Sequence, residues 1–286
     1  MPVRIVTDST CGLPAEVIAE HKIAVVPLYI NFGAQSFLDG VDLSRSQFYA
    51  RLPSSSPPPT TSAPGTAAFT DVYKRLIDEG ASGILSIHVG SALSNVVNAA
   101  QMAAPAITRV PVRVLDGGQI TLGTGFLAVH AARLAASGAS LDEVVASVEA
   151  LAARTHSFAA LDTLEYLRRG GRVSPVMFSV GTLLKMKPML KMHAGKVVTD
   201  RARTSKGAID RLIDLALQLG PLESVALVHA ATPERLELLR QAVQARLPGV
   251  PIRMVGEVAP VIGAHVGPGA VGIVCIQAPE PRPQRS

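Results

Sequence analysis

Gly83-Ile84-Leu85-Ser86-Ile87-His88-Val89 is an apolar, β-branched run, and Gly90-Ser91-Ala92-Leu93-Ser94-Asn95 follows it before a helical pattern from Ser94 to Ala104. The run reads as a buried strand and the small polar residues after it as a turn opening a helix. Strand, turn and helix in that order make the repeating unit of a parallel sheet. The unit recurs upstream, where Val3-Arg4-Ile5-Val6-Thr7 is a strand, Asp8-Ser9-Thr10 its turn, and a helix runs from Pro14 to about His21. Downstream, Val112 to Leu115 is a strand ending at Asp116, and helical patterns follow from Thr124 to Ser137 and from Leu141 to Thr155. Asp142 and Glu143 favour the N-terminal dipole of the second pattern.

Between these units, Ile23 to Ile30 is a further β-like run, Asp39-Gly40 a turn, and Ser44 a cap for a helix through Ala50. The prolines and hydroxyls of residues 53–64 read as a linker, before a helix from about Gly65 to Glu79. The second half offers strands at Phe158 to Ala160, around Met189 and Val197, at Ser224 to His229, Pro251 to Val255 and Gly272 to Gln277. Its helices are expected at Leu161 to Gly170, Ser205 to Leu219 and Pro233 to Arg246. At 286 residues the chain exceeds one compact domain. The pattern predicts the α/β class with two α/β domains, residues 1–155 with a crossing segment at 53–64, and residues 156–278. The proline-rich, polar residues 279–286 are expected to be a disordered tail.

With 48% hydrophobic and 17% charged residues, the composition is that of an ordinary globular protein. Cys11 and Cys275 are the only cysteines, which excludes a disulfide framework and a multi-cysteine metal site. Residues 1–10 lack a charged segment followed by an apolar one, and no stretch reaches about eighteen apolar residues. The expectation is therefore a cytoplasmic protein without stable membrane insertion. The net charge of +5 invites a nucleic-acid reading, but aromatics are 4% and tryptophan is absent, so stacking platforms are missing and no nucleic-acid partner is expected. Ten of the 27 basic residues fall between Arg168 and Lys206, which suits a solvated face or a docking surface for an acidic partner or nucleotide.

Phosphate-loop, zinc-protease and nucleophile-elbow motifs are absent, so neither a catalytic residue nor a cofactor or metal is expected. Gly267-Pro268-Gly269-Ala270-Val271-Gly272 matches a dinucleotide motif literally, but a strand follows it instead of the helix that receives a pyrophosphate. Thr60-Thr61-Ser62 and Ser91 to Asn95 carry anion-site chemistry. Hydroxyls and free backbone N–H groups beyond a parallel strand point into the crevice where such sheets bind ligands. The same spacings also suit a plain N-cap at Ser94 and a plain linker hydroxyl at Thr61.

Val6 to Thr10, Thr61-Ser62-Ala63-Pro64, Leu93-Ser94, Leu115-Asp116, Asp162 to Arg172, Leu183 to Pro188, Arg203-Thr204 and His265 to Gly269 occur in one order along nearly the whole chain. In these pieces the chain resembles the DegV family. The resemblance implies two domains with a long-chain fatty acid between them, its carboxylate held by the hydroxyls of Thr61 and Ser94. It further implies a non-catalytic carrier that presents the lipid to a fatty acid kinase making acyl phosphate. Ser62, Ser91, Asn95 and His265 become candidates for head-group support, His265 being equally well explained as a histidine satisfied within a Gly-rich loop. Arg168, Arg169, Arg172 and Arg203 become candidates for kinase docking, or for bracing the domains. Asp8, Ser9 and Asp116, at strand ends, are expected to support the site through hydrogen bonds. Phe178 to Leu184 with Met186, Met189 and Met192 could line an acyl chain or simply fill the core. Gly65, Gly90 and Asn95-Val96 depart from the usual Ser, Ser and Gly-Thr, which bears on head-group geometry. The competing reading is a serine-dependent hydrolase or acyltransferase with Ser94 as nucleophile and His265 as base.

Overall fold

The computed structural model describes residues 2–171 and 186–279. Strands β1 (Val3–Asp8), β2 (Ala24–Val26), β6 (Gly83–His88) and β7 (Val112–Asp116) form an all-parallel sheet in the order β2-β1-β6-β7. Every residue of β6 is buried, as befits a central strand covered on both faces. Around the sheet lie α1 (Ala15–Glu20), α3 (Thr66–Asp78), α4 (Val96–Ala103), α5 (Leu122–Ala136) and α6 (Leu141–Ala152). α3 buries Phe69, Tyr73, Leu76 and Ile77, one helical face at i, i+4, i+7 and i+8. A capping box between Ser140 and Glu143 starts α6.

A second sheet, antiparallel and small, has the order β4 (Gln35–Leu38), β3 (Tyr29–Phe32), β5 (Thr60–Ser62). The run Ile23 to Ile30 thus divides at Pro27 between two sheets. Residues 53–64 are not only a linker, because Thr60–Ser62 pairs with β3. The prolines flank this edge strand of three residues and remove none of its ladder bonds. α2 (Arg45–Arg51) follows the hairpin and packs on α10 (Pro260–Val266) from the far end of the chain. There the Tyr49 hydroxyl donates to the Val258 carbonyl at 3.0 Å. A Cβ placed on Gly263 would lie 2.6 Å from the Tyr49 oxygen, so only glycine permits this approach. His265 accordingly sits in the last turn of a helix and not in the Gly-rich loop that the sequence suggested.

The third sheet has six strands, β8 (Thr155–Ala160), β9 (Lys187–His193), β10 (Lys196–Ala202), β11 (Leu222–His229), β12 (Ile252–Glu257) and β13 (Val271–Gln277), ordered β10-β9-β8-β13-β11-β12. It is antiparallel except for β11 against β12, unlike the parallel first sheet. The helix expected over Leu161 to Gly170 contracts to α7 (Glu165–Arg169). One face of the sheet, including Phe158, Ala160, Met189, Leu227, Ile273 and Cys275, packs on α8 (Ser205–Leu217) and α9 (Pro233–Arg246) as a core of its own. Met189 therefore belongs to this core and not to an acyl-chain lining. The alternate residues of the same strands, including Ala226, Val228, Val274 and Ile276, join the core shared with the parallel sheet. Among the described residues no helix is long and apolar enough to cross a membrane. The stretch Phe178 to Leu184 and Arg172 lie outside the described residues, as does the expected tail from residue 280 onward.

Candidate functional site

The inner face of the six-stranded sheet, α10, β5 and the loops after β1, β6 and β7 enclose a cavity of about 310 Å³. Strand register explains its floor. Thr199, Leu190, Ala159, Gly272 and Val228 form one cross-strand row, and Val197, Met192, Ser157 and Val274 the next. All nine side-chain positions line the cavity, because residues two apart on a strand share a face. Along each strand the rows are about 7 Å apart. Gly272 beside Ala159 leaves a shallow trough. A Cβ on Gly272 would come within 2.8 Å of the Phe158 carbonyl oxygen and 3.0 Å of a Val228 methyl. Val261, Ile262 and Val266 of α10 supply apolar wall opposite.

Thr61, Ser94 and His265, from three separate parts of the chain, line this one cavity. Thr61 Oγ1 and His265 Nε2 lie 2.7 Å apart and share a hydrogen bond. Ser94 is not the N-cap of α4. Asn95 takes that position without a side-chain cap bond, and no hydrogen bond to Ser94 Oγ occurs among the described residues. Its hydroxyl is thus available to a ligand. The Gly90 departure also finds a reason, because a Cβ there would lie 2.5 Å from the terminal methyl of Met192, a cavity-lining residue.

Other candidates fall outside the cavity wall. Ser62 alternates to the exposed side of β5 from Thr61, and Ser91 and Asn95 are exposed on their loop. Ser91 contributes its backbone N–H, which donates to Asp116 at 3.2 Å, and so ties the loop after β6 to the end of β7. Arg168 and Arg169 are exposed and pair with Glu165 of their own helix, at 2.6 and 2.7 Å, so they do not brace the two halves. These pairs hold the Glu165 carboxyl down at about 2. Arg203 is exposed as well.

Four polar residues that the sequence reading passed over, Thr10, Thr121, Ser157 and Thr199, also line the cavity. Thr10 was within reach of the strand-end rule that singled out Asp8 and Ser9. Beneath it runs a fully buried chain of hydrogen bonds. Tyr73 donates to Ser86 at 2.8 Å, Ser86 meets His88 Nε2 at 2.7 Å, and His88 Nδ1 meets Asp8 at 3.0 Å. Asp8 also accepts from Thr10 N and from Val89 N, at 3.0 and 3.1 Å, and so fixes the ends of the two central strands. Burial alone would raise the Asp8 pKa. The hydrogen bond and charge of His88, with the Thr10 and Val89 donors, outweigh it and hold the carboxyl below its ordinary value. Asp39, buried near Ser9 and α10, goes the other way. Desolvation raises it to about 6 against the lowering effect of Ser9 and Val261.

Among the described residues the geometry of a serine hydrolase is not assembled. His265 Nε2 is engaged by Thr61, and among the described residues no hydrogen bond joins His265 to Ser94. Burial pushes the Cys11 thiol up to about 12, far from a reactive thiolate. Among the described residues no three histidine, cysteine or acidic side chains are grouped to hold a metal ion.

Comparison with known proteins places this architecture. Residues 2–278 match the model of a family described as "Uncharacterised protein, DegV family". A DegV domain-containing protein of Streptomyces coelicolor is 39% identical over 275 residues, 95% of this chain and 97% of that protein. One from Mycobacterium tuberculosis is 36% identical over 280 residues, 96% and 97% of the two chains. Among solved structures, a DegV family protein from Thermus thermophilus described as binding fatty acid superposes with a TM-score of 0.88 at 30% identity, covering 97% of this chain and 100% of that one. DegV of Bacillus subtilis, described as a fatty acid binding protein, gives 0.85 at 29% identity over 97% and 100%. In sequence and in architecture, over nearly its full length, the chain belongs to the DegV family.

Proposed function

We propose that the protein binds a long-chain fatty acid such as palmitate or oleate and presents it to a fatty acid kinase for conversion to acyl phosphate. One observation carries the reading: a single apolar cavity of about 310 Å³ is lined by the otherwise separate Thr61, Ser94 and His265. Thr61 and Ser94 are assigned to the carboxylate, each O–H donating to one oxygen, and His265 orients Thr61. Two such charge-assisted bonds contribute roughly 1.5–3 kcal/mol each. Each methylene moved from water to the trough contributes about 0.8 kcal/mol, so a long tail gains on the order of 10 kcal/mol before ordering costs. Tail burial sets the affinity, and the hydroxyls set the orientation. The fatty-acid binding described for the Thermus and Bacillus proteins supports the assignment.

Carriage, with the chemistry left to a partner, accounts for a sequence without a nucleotide motif. Arg168 and Arg169, exposed beside the Gly170-Gly171 turn, together with Arg172 and Arg203, are assigned to docking an acidic surface of that partner. Titration of delipidated protein with oleate and with the matching alcohol tests the binding step. The alcohol should bind at least tenfold more weakly, and equal affinities would remove the carboxylate site. A second assay adds a fatty acid kinase and ATP. Acyl phosphate should form only with kinase present, and ATP consumption by the purified protein alone with oleate would overturn the non-catalytic carrier reading.

A further inference from the structure

Gln119, just beyond β7, is fully buried and joins parts of both main sheets. Its backbone carbonyl accepts from Gly90 N at 2.9 Å, at the start of the loop that carries Ser94. Its side chain crosses to β8, where Nε2 donates to the Thr155 carbonyl at 2.7 Å and Oε1 accepts from Ser157 Oγ at 2.9 Å. The amide orientation follows from the partners, since a carbonyl can only accept. Ser157 in turn faces the cavity from the row of Met192 and Val274. Val274 is three residues, about 10 Å, further along β13 than Val271, with which the chain leaving His265 enters the sheet.

Close packing from α5 surrounds this tie. In α5, a Cβ on Gly123 would lie 2.9 Å from Ser157 Oγ and 3.1 Å from Gln119 Oε1, so the bond occupies room that glycine alone leaves. Thr121, two residues on, lines the cavity at φ 51, a backbone conformation that β-branched residues rarely adopt and that surrounding structure must impose.

We infer that Gln119 is a positioning residue that sets the separation between the Ser94 loop and the tail-lining strand β8, and thereby selects acyl chain length. The inference rests on the fatty-acid reading above and adds its selectivity. With head and tail walls at fixed separation, a chain one methylene off the best length forfeits about fourfold in affinity, and two methylenes about fifteenfold. With the tie cut, the walls adjust and the discrimination shrinks.

The test compares wild type with Ser157→Ala, which removes one bond of the tie, Gln119→Leu, which removes both, and Gln119→Glu. Hydrogen exchange of the ligand-free proteins comes first. Ser157→Ala should accelerate exchange of the amides from Gly90 to Ser94 several-fold, although Ser157 Oγ makes no bond to that loop. Changes confined to residue 119 and residues 155–158 would overturn the proposal, and this readout holds even if wild type binds no fatty acid, a result that would instead sink the proposed function. Affinities for saturated acids of twelve to twenty carbons come second. The two-carbon discrimination should fall from about fifteenfold to below threefold in Ser157→Ala, and equal loss across the series would contradict positioning. Gln119→Leu, if it folds, should show the larger effect of each kind. Gln119→Glu, whose protonated carboxyl offers a donor and an acceptor in the same places, should keep the wild-type profile at low pH and lose it as pH rises.

Discussion

Replacing Ala159 with leucine should shorten the acyl chain that fits. Ala159 stands between Leu190 and Gly272 in the floor of the cavity, and Gly272 presents no side chain to crowd it. Leucine at 159 projects three more carbon atoms into the trough and displaces about three methylenes of ligand. At about 0.8 kcal/mol each the loss is near 2.4 kcal/mol, or roughly 60-fold in Kd for an eighteen-carbon acid. An acid three to four carbons shorter should bind the variant about as well as it binds wild type. Filling open space costs the fold nothing, so the melting temperature should hold or rise. Calorimetric titration over a chain-length series, with thermal melts alongside, reads both effects. Unchanged affinity for the eighteen-carbon acid in a folded variant would refute the placement of the tail over β8 and β13.

Thr61→Val keeps the β-branched shape that β5 needs and removes the hydroxyl. Oleate affinity should fall 10- to 100-fold with no change for the matching alcohol, as titration of both would register. Asp8→Asn breaks a pair in which both side chains are fully buried and should cost about 3–5 kcal/mol, measured by urea unfolding. Because the folded-state pKa of Asp8 is depressed, its contribution is present above the unfolded value of 3.8 and is lost as pH falls below it. Asp39 has the opposite sign. Its pKa rises from 3.8 to about 6 on folding, so stability drops across that interval as pH increases. Asp39→Asn should flatten that slope and add up to about 3 kcal/mol at pH 7.5, and an unaltered pH profile of unfolding would contradict it. Arg168→Ala with Arg169→Ala should leave oleate binding intact and weaken kinase-dependent acyl phosphate formation several-fold, more so at low salt.

Local pattern made the parallel half readable. β1, β6 and β7 are apolar runs with helices after them, and in the other half, among the described residues, α9 alone begins at Pro233 and ends at Arg246 where the sequence placed it. The rest depended on partners distant in the chain. β5 is three residues long and is a strand only because β3 offers an edge. α10 is a seven-residue helix that pairs Gly263 with Tyr49, more than two hundred residues away, and nothing in its own sequence announces that contact. The antiparallel arrangement around β13 follows from register and packing that strand propensity does not encode. At the site, the choice of Thr61, Ser94 and His265 came from motifs matched to a family, and the cavity brings those three together. Ser62 drops out only once β5 is known to be a strand, since adjacent residues of a strand face opposite ways. The tie through Gln119 and the buried relay from Tyr73 to Asp8 each join residues of separate segments, and no local pattern carries such pairings.

The most direct test of the central claim is native mass spectrometry of gently purified protein, followed by denaturation and lipid analysis, for wild type and for Thr61→Val combined with Ser94→Ala. One fatty acid per wild-type chain, lost from the double variant, is the predicted result. A fatty acid retained in stoichiometric amount by the double variant would contradict the head-group assignment, and none in either protein, with oleate failing to bind on addition, would contradict the carrier function itself.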